Sequence, residues 1–284
     1  LEVAVTTSTP KALRLAPAVA TVITAEEIKR MGATTLEQAL ETVPGLHVFP
    51  NGTNIMQSNW SMRGIQAGLN PHILLLVNGV PLTYAVNGTR FYGQQIPVSI
   101  ISRIEIMRGP GSAVHGADAF AGTVNVITKK GSEMAGTEAG GRYGSFATSD
   151  LWAQHGGVYR GGDLSLGLDW RKSDGDDLRI IARDGLGSGP PSLAPGPLDT
   201  HQESVNLSLG LDKDQWSGHL YATSAKAGMG HGGLQILSEN SEIENAVIEG
   251  DVEYERLSFV PDWDLNVRGY AVYADGENYF DFYP

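Results

Sequence analysis

Ile104 to Thr128 reads I-E-I-M-R-G-P-G-S-A-V-H-G-A-D-A-F-A-G-T-V-N-V-I-T. Two β-branched runs, Ile104–Ile106 and Thr123–Thr128, flank a glycine-rich turn segment holding few residues that could do chemistry. Glycine alone enters positive φ without steric cost, so the stretch predicts a tightly turned scaffold rather than an active site.

Outward from this stretch, the first ~130 residues mix helix and strand signals. Thr24-Ala25-Glu26-Glu27 is a capping box opening a short helix that Gly32 stops. A second box, Thr34-Thr35-Leu36-Glu37, opens a helix with Leu36, Ala39, Leu40 and Val43 on one face, ended by Pro44-Gly45. Strands are expected at Leu46–Phe49, Ser61–Arg63 and Ile73–Val77, the last closed by an Asn78-Gly79 turn. This half predicts a small α+β globule.

From about Gly136 the period becomes two. Leu164, Leu166, Leu168 and Trp170 alternate with Ser165, Gly167, Asp169 and Arg171; Val205, Leu207, Leu209 and Leu211 repeat the pattern. Leu265, Val267, Ala271 and Tyr273 mark another strand, with weaker alternation over Trp216–Thr223 and Ala246–Arg256. On periodicity alone a soluble two-layer sandwich is slightly favoured. Connection lengths pull the other way. Short links at Arg160–Asp163, Asp212–Gln215 and Ser258–Asp262 alternate with long ones at about Ser173–His201 and Lys226–Asn245. That rhythm suits a membrane barrel with short turns on one side and long loops on the other.

Composition removes other classes. The chain has 284 residues, enough for one large domain or two ordinary ones, and 41% are hydrophobic, so it is not a disordered chain. A formal charge of −12 disfavours nucleic acid as a partner. Without cysteine there is no disulfide framework or thiolate metal site. No run approaches the ~18 apolar residues of a membrane helix, which a transmembrane barrel also lacks. The N-terminus shows neither a basic nor an apolar leader region, so an export signal is expected to be already removed or not included. Gly109-Pro-Gly111 lacks the rest of a dinucleotide or phosphate-loop motif, and His231-Gly232-Gly233 has no nucleophile elbow beside it. Asp174, Asp176 and Asp177 lack a helix-flanked Ca²⁺ loop pattern, and the seven histidines show no metal spacing. No enzyme, cofactor or metal site is predicted.

Six landmarks now stand in order: V-I-T-A-E-E-I from Val22, L-E-Q-A-L-E-T-V-P-G-L from Leu36, M-R-G-I from Met62, I-L-L-L-V-N-G-V-P from Ile73, I-S-R-I-E-I-M-R-G-P-G-S-A from Ile101 and A-F-A-G-T-V-N-V-I-T-K from Ala119. Together they resemble the plug of TonB-dependent outer-membrane receptors from roughly Val3 to Lys130. The segment after Gly136 resembles the start of the family's barrel, with Tyr143-Gly144 in its first strand. The resemblance implies an α+β plug domain followed by a partial antiparallel transmembrane β-barrel: residues 1–10 a TonB box and N-terminal segment, 11–131 the plug, 132–284 the N-terminal portion of the barrel. Such transporters have about 22 strands, whereas this chain has room for on the order of seven. A fragment of a larger barrel, unable to transport alone, is therefore expected.

The resemblance also assigns roles. Glu2, Val3, Ala4, Val5 and Thr6 resemble a TonB box, which would pair with a strand of TonB through its main chain. Arg63, Glu105 and Arg108 lie in the most family-specific motifs and imply a lock between plug and barrel wall, with acidic partners on barrel strands. Ligand contacts are expected from Trp60, Tyr84, Arg90, Phe91, Tyr92 and Gln94, within the loops Asn51–Trp60 and Leu82–Gln95. Aromatics beside an arginine and amides suit a bulky, planar or anionic ligand such as a ferric chelate. The implied protein sits in the outer membrane of a Gram-negative bacterium, contacts its lipid, takes up a ferric siderophore and is driven by TonB. Cobalamin or another scarce nutrient, and a soluble β-sandwich adhesin, are the alternatives. A glycan importer or signalling receptor would carry a further domain before the box.

Overall fold

Thr24 forms its box in the computed structural model: its Oγ1 accepts from the Glu27 amide at 3.3 Å, and the Glu27 carboxylate accepts from the Thr24 amide at 2.8 Å. The second box forms one residue later than expected. Thr35 is the N-cap, accepting from Gln38 N at 3.3 Å, and the Gln38 side chain reaches back to Thr34 N at 2.7 Å. Gln at the third helical position does what Glu37 was expected to do one step earlier. This second helix stops at Leu40 rather than at Pro44, and the Glu41 carboxylate instead takes the Val48 amide of the following strand at 2.6 Å.

The structure describes residues 2–3, 11–12, 19–51, 58–66, 72–84, 88–91, 95–134, 136–231, 235–260 and 263–282. In chain order these form β1 (Glu2–Val3), β2 (Lys11–Ala12), β3 (Val19–Thr24), α1 (Ala25–Met31), α2 (Leu36–Leu40), β4 (Leu46–Pro50), β5 (Ser58–Met62), β6 (Ile73–Val77), β7 (Val80–Pro81), β8 (Ile101–Arg108), α3 (Ser112–His115), β9 (Gly122–Thr128) and α4 (Gly131–Met134). A five-stranded sheet in the order β3-β8-β9-β6-β7 carries this half, with β6 and β9 parallel and the other neighbours antiparallel. Every residue of β6 is buried, because strands covered on both faces need no polar alternation. Asn78 and Gly79, both at positive φ, turn β6 into β7 as expected. Leu40, Trp60, Met62, Ile73, Ile104 and Val126 lie at the centre of the core.

The second half is one antiparallel meander of seven strands: β10 (Gly136–Tyr143), β11 (Ser149–Tyr159), β12 (Gly162–Ser173), β15 (Gln202–Lys213), β16 (Trp216–Gly228), β17 (Glu242–Val260) and β18 (Trp263–Tyr279). The two-residue pair β13 (Ile180–Ile181) and β14 (Gly196–Pro197) lies inside the long β12–β15 connection. Tyr143 ends the first wall strand and Gly144 already lies in the turn. Strands β17 and β18 run further than the alternation showed, to Val260 and from Trp263, because main-chain pairing with each other continues there. The sheet is open: among the described residues β10 and β18 do not pair with each other.

The faces decide between sandwich and barrel. Leu164, Leu166 and Leu168 are 38%, 38% and 51% exposed, whereas Ser165, Asp169 and Ser173 are buried. Val205, Leu211, Ile248, Val252 and Val267 point out in the same way, while Asn206, Ser208, Asn245, Glu249 and Asp251 are buried. A sandwich would bury the leucines. Here the polar face is turned inward onto the first half, and Tyr221 and Val247 of the wall join its hydrophobic core. The inward-facing Gly167 leaves space for Ile100 of the first half, whose Cγ2 would lie 2.9 Å from a Cβ there.

Gly122 starts β9 where a Cβ would overlap the Met107 carbonyl and the Met62 sulfur. Gly122→Ala is expected to destabilise the first half by about 1–3 kcal/mol, the usual cost of overpacking. Denaturant unfolding followed by fluorescence of the buried Trp60 checks this; an unshifted midpoint would show that the sheet yields there without cost.

Candidate functional site

The two halves meet along a seam that runs the height of the wall. At the end bearing the long connections, Tyr84 Oη donates to Asn245 Oδ1 at 3.0 Å and the Gln95 amide donates to Gln202. Arg171 Nη1 reaches the Thr34 carbonyl at 3.5 Å. Lower down, Arg268 donates to the Asn78 carbonyl and holds Asp251 through Nε (3.0 Å) and Nη2 (2.9 Å). His219 Nδ1 faces the other oxygen of Asp251 at 3.2 Å. At the short-turn end Lys130 Nζ pairs with Asp212 at 2.9 Å, and Lys129 Nζ reaches Gln154 at 3.4 Å. A cavity of about 370 Å³ opens beside this end, bounded by Asn78, Lys129, Asp163, Asp212, His219 and Glu253.

Three of the expected ligand residues, Trp60, Arg90 and Phe91, lie beneath the surface. Trp60 is 2% exposed, its indole N–H donates to Ser58 Oγ at 3.1 Å, and the Arg90 guanidinium carbon lies 3.7 Å over its ring. Arg90 also donates to the Ser58 carbonyl. Burial pushes the Arg90 guanidinium down to about 10, so it stays cationic at neutral pH and the ring contact is a true cation–π pair. Phe91 is buried and packs edge-on against Tyr84, ring centres 4.3 Å apart. These four residues form two adjoining clusters at the long-connection end. Tyr92 and Gln94 lie outside the described residues, as do Ala4, Val5 and Thr6. Glu2 and Val3 pair antiparallel with Ala12 and Lys11.

Arg63, Glu105 and Arg108 make their described contacts within the first half. Glu105 is fully buried and accepts from Arg103 Nε and Nη2 at 2.9 and 2.8 Å. Arg108 donates to the Pro44 carbonyl and to Thr21 Oγ1. Arg63, exposed and at positive φ, has its amide on the Gly45 carbonyl at 2.7 Å and its side chain 3.7 Å from where a Gly109 Cβ would stand. The cations described crossing the seam, Lys129, Lys130, Arg171 and Arg268, were not singled out from the sequence. A signal existed: Arg171 occupies the inward register of the β12 alternation, where an apolar core would not tolerate charge.

The long connections dock on one another above the seam. His201 Nδ1 lies 2.6 Å from Asp199 and its Nε2 3.1 Å from Glu242, which Lys226 approaches to 2.6 Å. Asp184 takes the Leu237 amide at 2.9 Å. Among the described residues no group of three or more His, Asp or Glu is placed to hold a metal ion, and this includes Asp174, Asp176 and Asp177.

A plug seated on the polar face of a sheet whose other face is apolar is the architecture of a plugged β-barrel. Residues 12–123 match the TonB-dependent Receptor Plug Domain. The chain is 33% identical over 160 residues to the vitamin B12 transporter BtuB of Vibrio vulnificus (strain CMCP6), an alignment covering 56% of this chain and 26% of that protein. The ferric yersiniabactin uptake receptor FyuA of Yersinia pestis superposes with a TM-score of 0.67 at 20% identity, over 93% of this chain and 42% of that one. The unliganded ferric citrate transporter FecA does so with 0.68 at 19%, over 93% and 41%. The first part of the chain is therefore a TonB-dependent receptor plug domain, and the strands after it are folded like part of such receptors' barrel walls. The chain spans about a quarter of the curated relative and two fifths of these solved receptors.

Two outcomes follow from the geometry. Arg268→Ala leaves the buried Asp251 carboxylate without its main partner and is expected to cost ~2 kcal/mol, between the values for exposed and buried pairs, since Arg268 is itself a quarter exposed. Thermal unfolding and protease cutting at the Asn78 turn would read the loss, and Asp251→Asn in the same background should recover part of it. His201 faces two carboxylates, so both ring nitrogens must donate. The Asp199 hydrogen bond, with Glu242, raises its pKa against the opposing effect of burial. The bridge is therefore at full strength below the ordinary value near 6.5 and is lost as pH rises through the raised value. Proteolysis of the 174–201 connection should accelerate on going from pH 6 to pH 9, and His201→Gln should remove that dependence.

Proposed function

We propose that this chain is the plug and part of the barrel wall of a receptor that takes up a scarce nutrient across the outer membrane of a Gram-negative bacterium, driven by TonB. The observation that carries the reading is the inverted wall: apolar side chains outward, polar ones inward onto a plug held by a few polar contacts. Lipid satisfies the outer face, and the plug blocks the path along the inner one.

A ferric siderophore is the first ligand class. The solved receptors of like fold include ferric yersiniabactin and ferric citrate transporters. In this reading Trp60, Tyr84, Arg90 and Phe91 support the capture surface from below, with Tyr92 and Gln94 expected beside them. Glu2 to Thr6 pair with a strand of TonB, and Arg63 meets an acidic wall residue while Glu105 and Arg108 brace β8 behind it. Cobalamin is the second class, favoured by the 33% identity with a vitamin B12 transporter.

Abundance of the receptor in outer-membrane fractions from iron-replete and iron-starved cells separates the two. Strong induction by starvation supports the siderophore, unchanged abundance moves the assignment to cobalamin, and absence from that fraction removes the barrel reading. Leu168→Arg tests the lipid face directly. Near the bilayer midplane it is expected to cost about 2–4 kcal/mol and so to lower the assembled receptor several-fold. On a water-facing sheet the same change would stay within about 0.5 kcal/mol.

A further inference from the structure

One stretch of the seam is built differently from the rest. Elsewhere plug and wall meet through side chains that take one partner at a time, such as Tyr84 on Asn245 or Arg268 on the Asn78 carbonyl. Where the chain passes from plug to wall, two successive backbone amides are held by one carboxylate. The Asp163 carboxylate of β12 accepts the Gly131 amide on one oxygen and the Ser132 amide on the other, the latter at 3.0 Å. Lys130 Nζ is paired with Asp212 of β15, and the Lys130 amide donates to Glu133 at 2.7 Å.

Packing repeats the message independently. A Cβ on Gly131 would overlap the Leu164 carbonyl of β12 and lie 2.7 Å from the Gly157 nitrogen of β11. A Cβ on Gly156 would lie 2.6 Å from the Gly131 Cα. Gly131 is thus wedged against two adjacent wall strands at a spot only glycines can form, and its amide is taken by a carboxylate from one of them.

We propose that Lys130–Ser132 is a fixed anchor with Asp163 as its positioning residue. Displacement of the plug is then confined to the chain N-terminal of Lys130, and the plug returns to its seat from that point. The role in return rests on the gating reading above; the anchor itself does not.

Amide hydrogen exchange on the purified, detergent-solubilised chain tests the anchor. Gly131 and Ser132 should be protected, and Asp163→Ala should speed their exchange by about tenfold or more, the loss of charge-assisted hydrogen bonds. Asp163→Asn, which keeps one acceptor oxygen, should fall between. Unprotected amides in the parent chain, or equal exchange in all three, would overturn the anchor. Pulling on an N-terminal handle in the membrane-embedded receptor tests the role. Extension should end before Gly131, and re-docking on relaxation should be slower in Asp163→Ala. Equal re-docking overturns the positioning role, whereas a plug that cannot be drawn out at all removes the gating reading and leaves the exchange result to decide the anchor.

Discussion

A strand period of two places alternate side chains on opposite faces of the wall, and the two faces of this wall meet opposite environments. Leu164, Leu166 and Leu168 look outward while Ser165, Asp169 and Ser173 look inward. Everything else depends on that inversion. A polar inner face cannot pack as an oily core, so the plug must bring hydrogen-bonding partners to it and carry its own core with it. The core is accordingly centred in the plug, around Leu40, Trp60, Met62 and Ile104, and the wall lends it only a few side chains such as Tyr221 and Val247.

The seam that results is economical. Tyr84, Gln95, Arg171 and Arg268 each make one or a few polar contacts across it. Each such contact replaces hydrogen bonds to water and so adds only modestly to the hold on the plug. Glu105 and Arg108 make their described contacts within the plug: Glu105 with Arg103, and Arg108 with Pro44 and Thr21. Strand β8 is thereby braced as one unit. At the point where plug becomes wall the character changes to closely packed glycines and captured amides.

Above the seam, the two long connections fold onto each other through Asp184, Asp199, His201 and Glu242. Their charged groups pair laterally above the seam.

Local rules were legible in the sequence wherever local energy dominates. The Thr24–Glu27 box, the Ile73–Val77 strand, the Asn78-Gly79 turn and the Leu164 alternation carry strong local signals, and all appear. Element ends were less so: Gln38 rather than Glu37 completes the second cap, and β17 and β18 outrun their apolar rhythm because their main chains go on pairing to Val260 and Trp263. Which face of the alternation is inside could not be read from periodicity, since a sandwich and a barrel share it. The sequence by itself determined two segments, α+β then all-β, with turn and loop lengths alternating along the second. Only the tertiary structure decided which arginines and lysines cross between them, and that Trp60 and Arg90 lie buried together. Those pairings join residues up to 190 positions apart, and no local preference encodes a contact that exists only once the plug sits inside the wall.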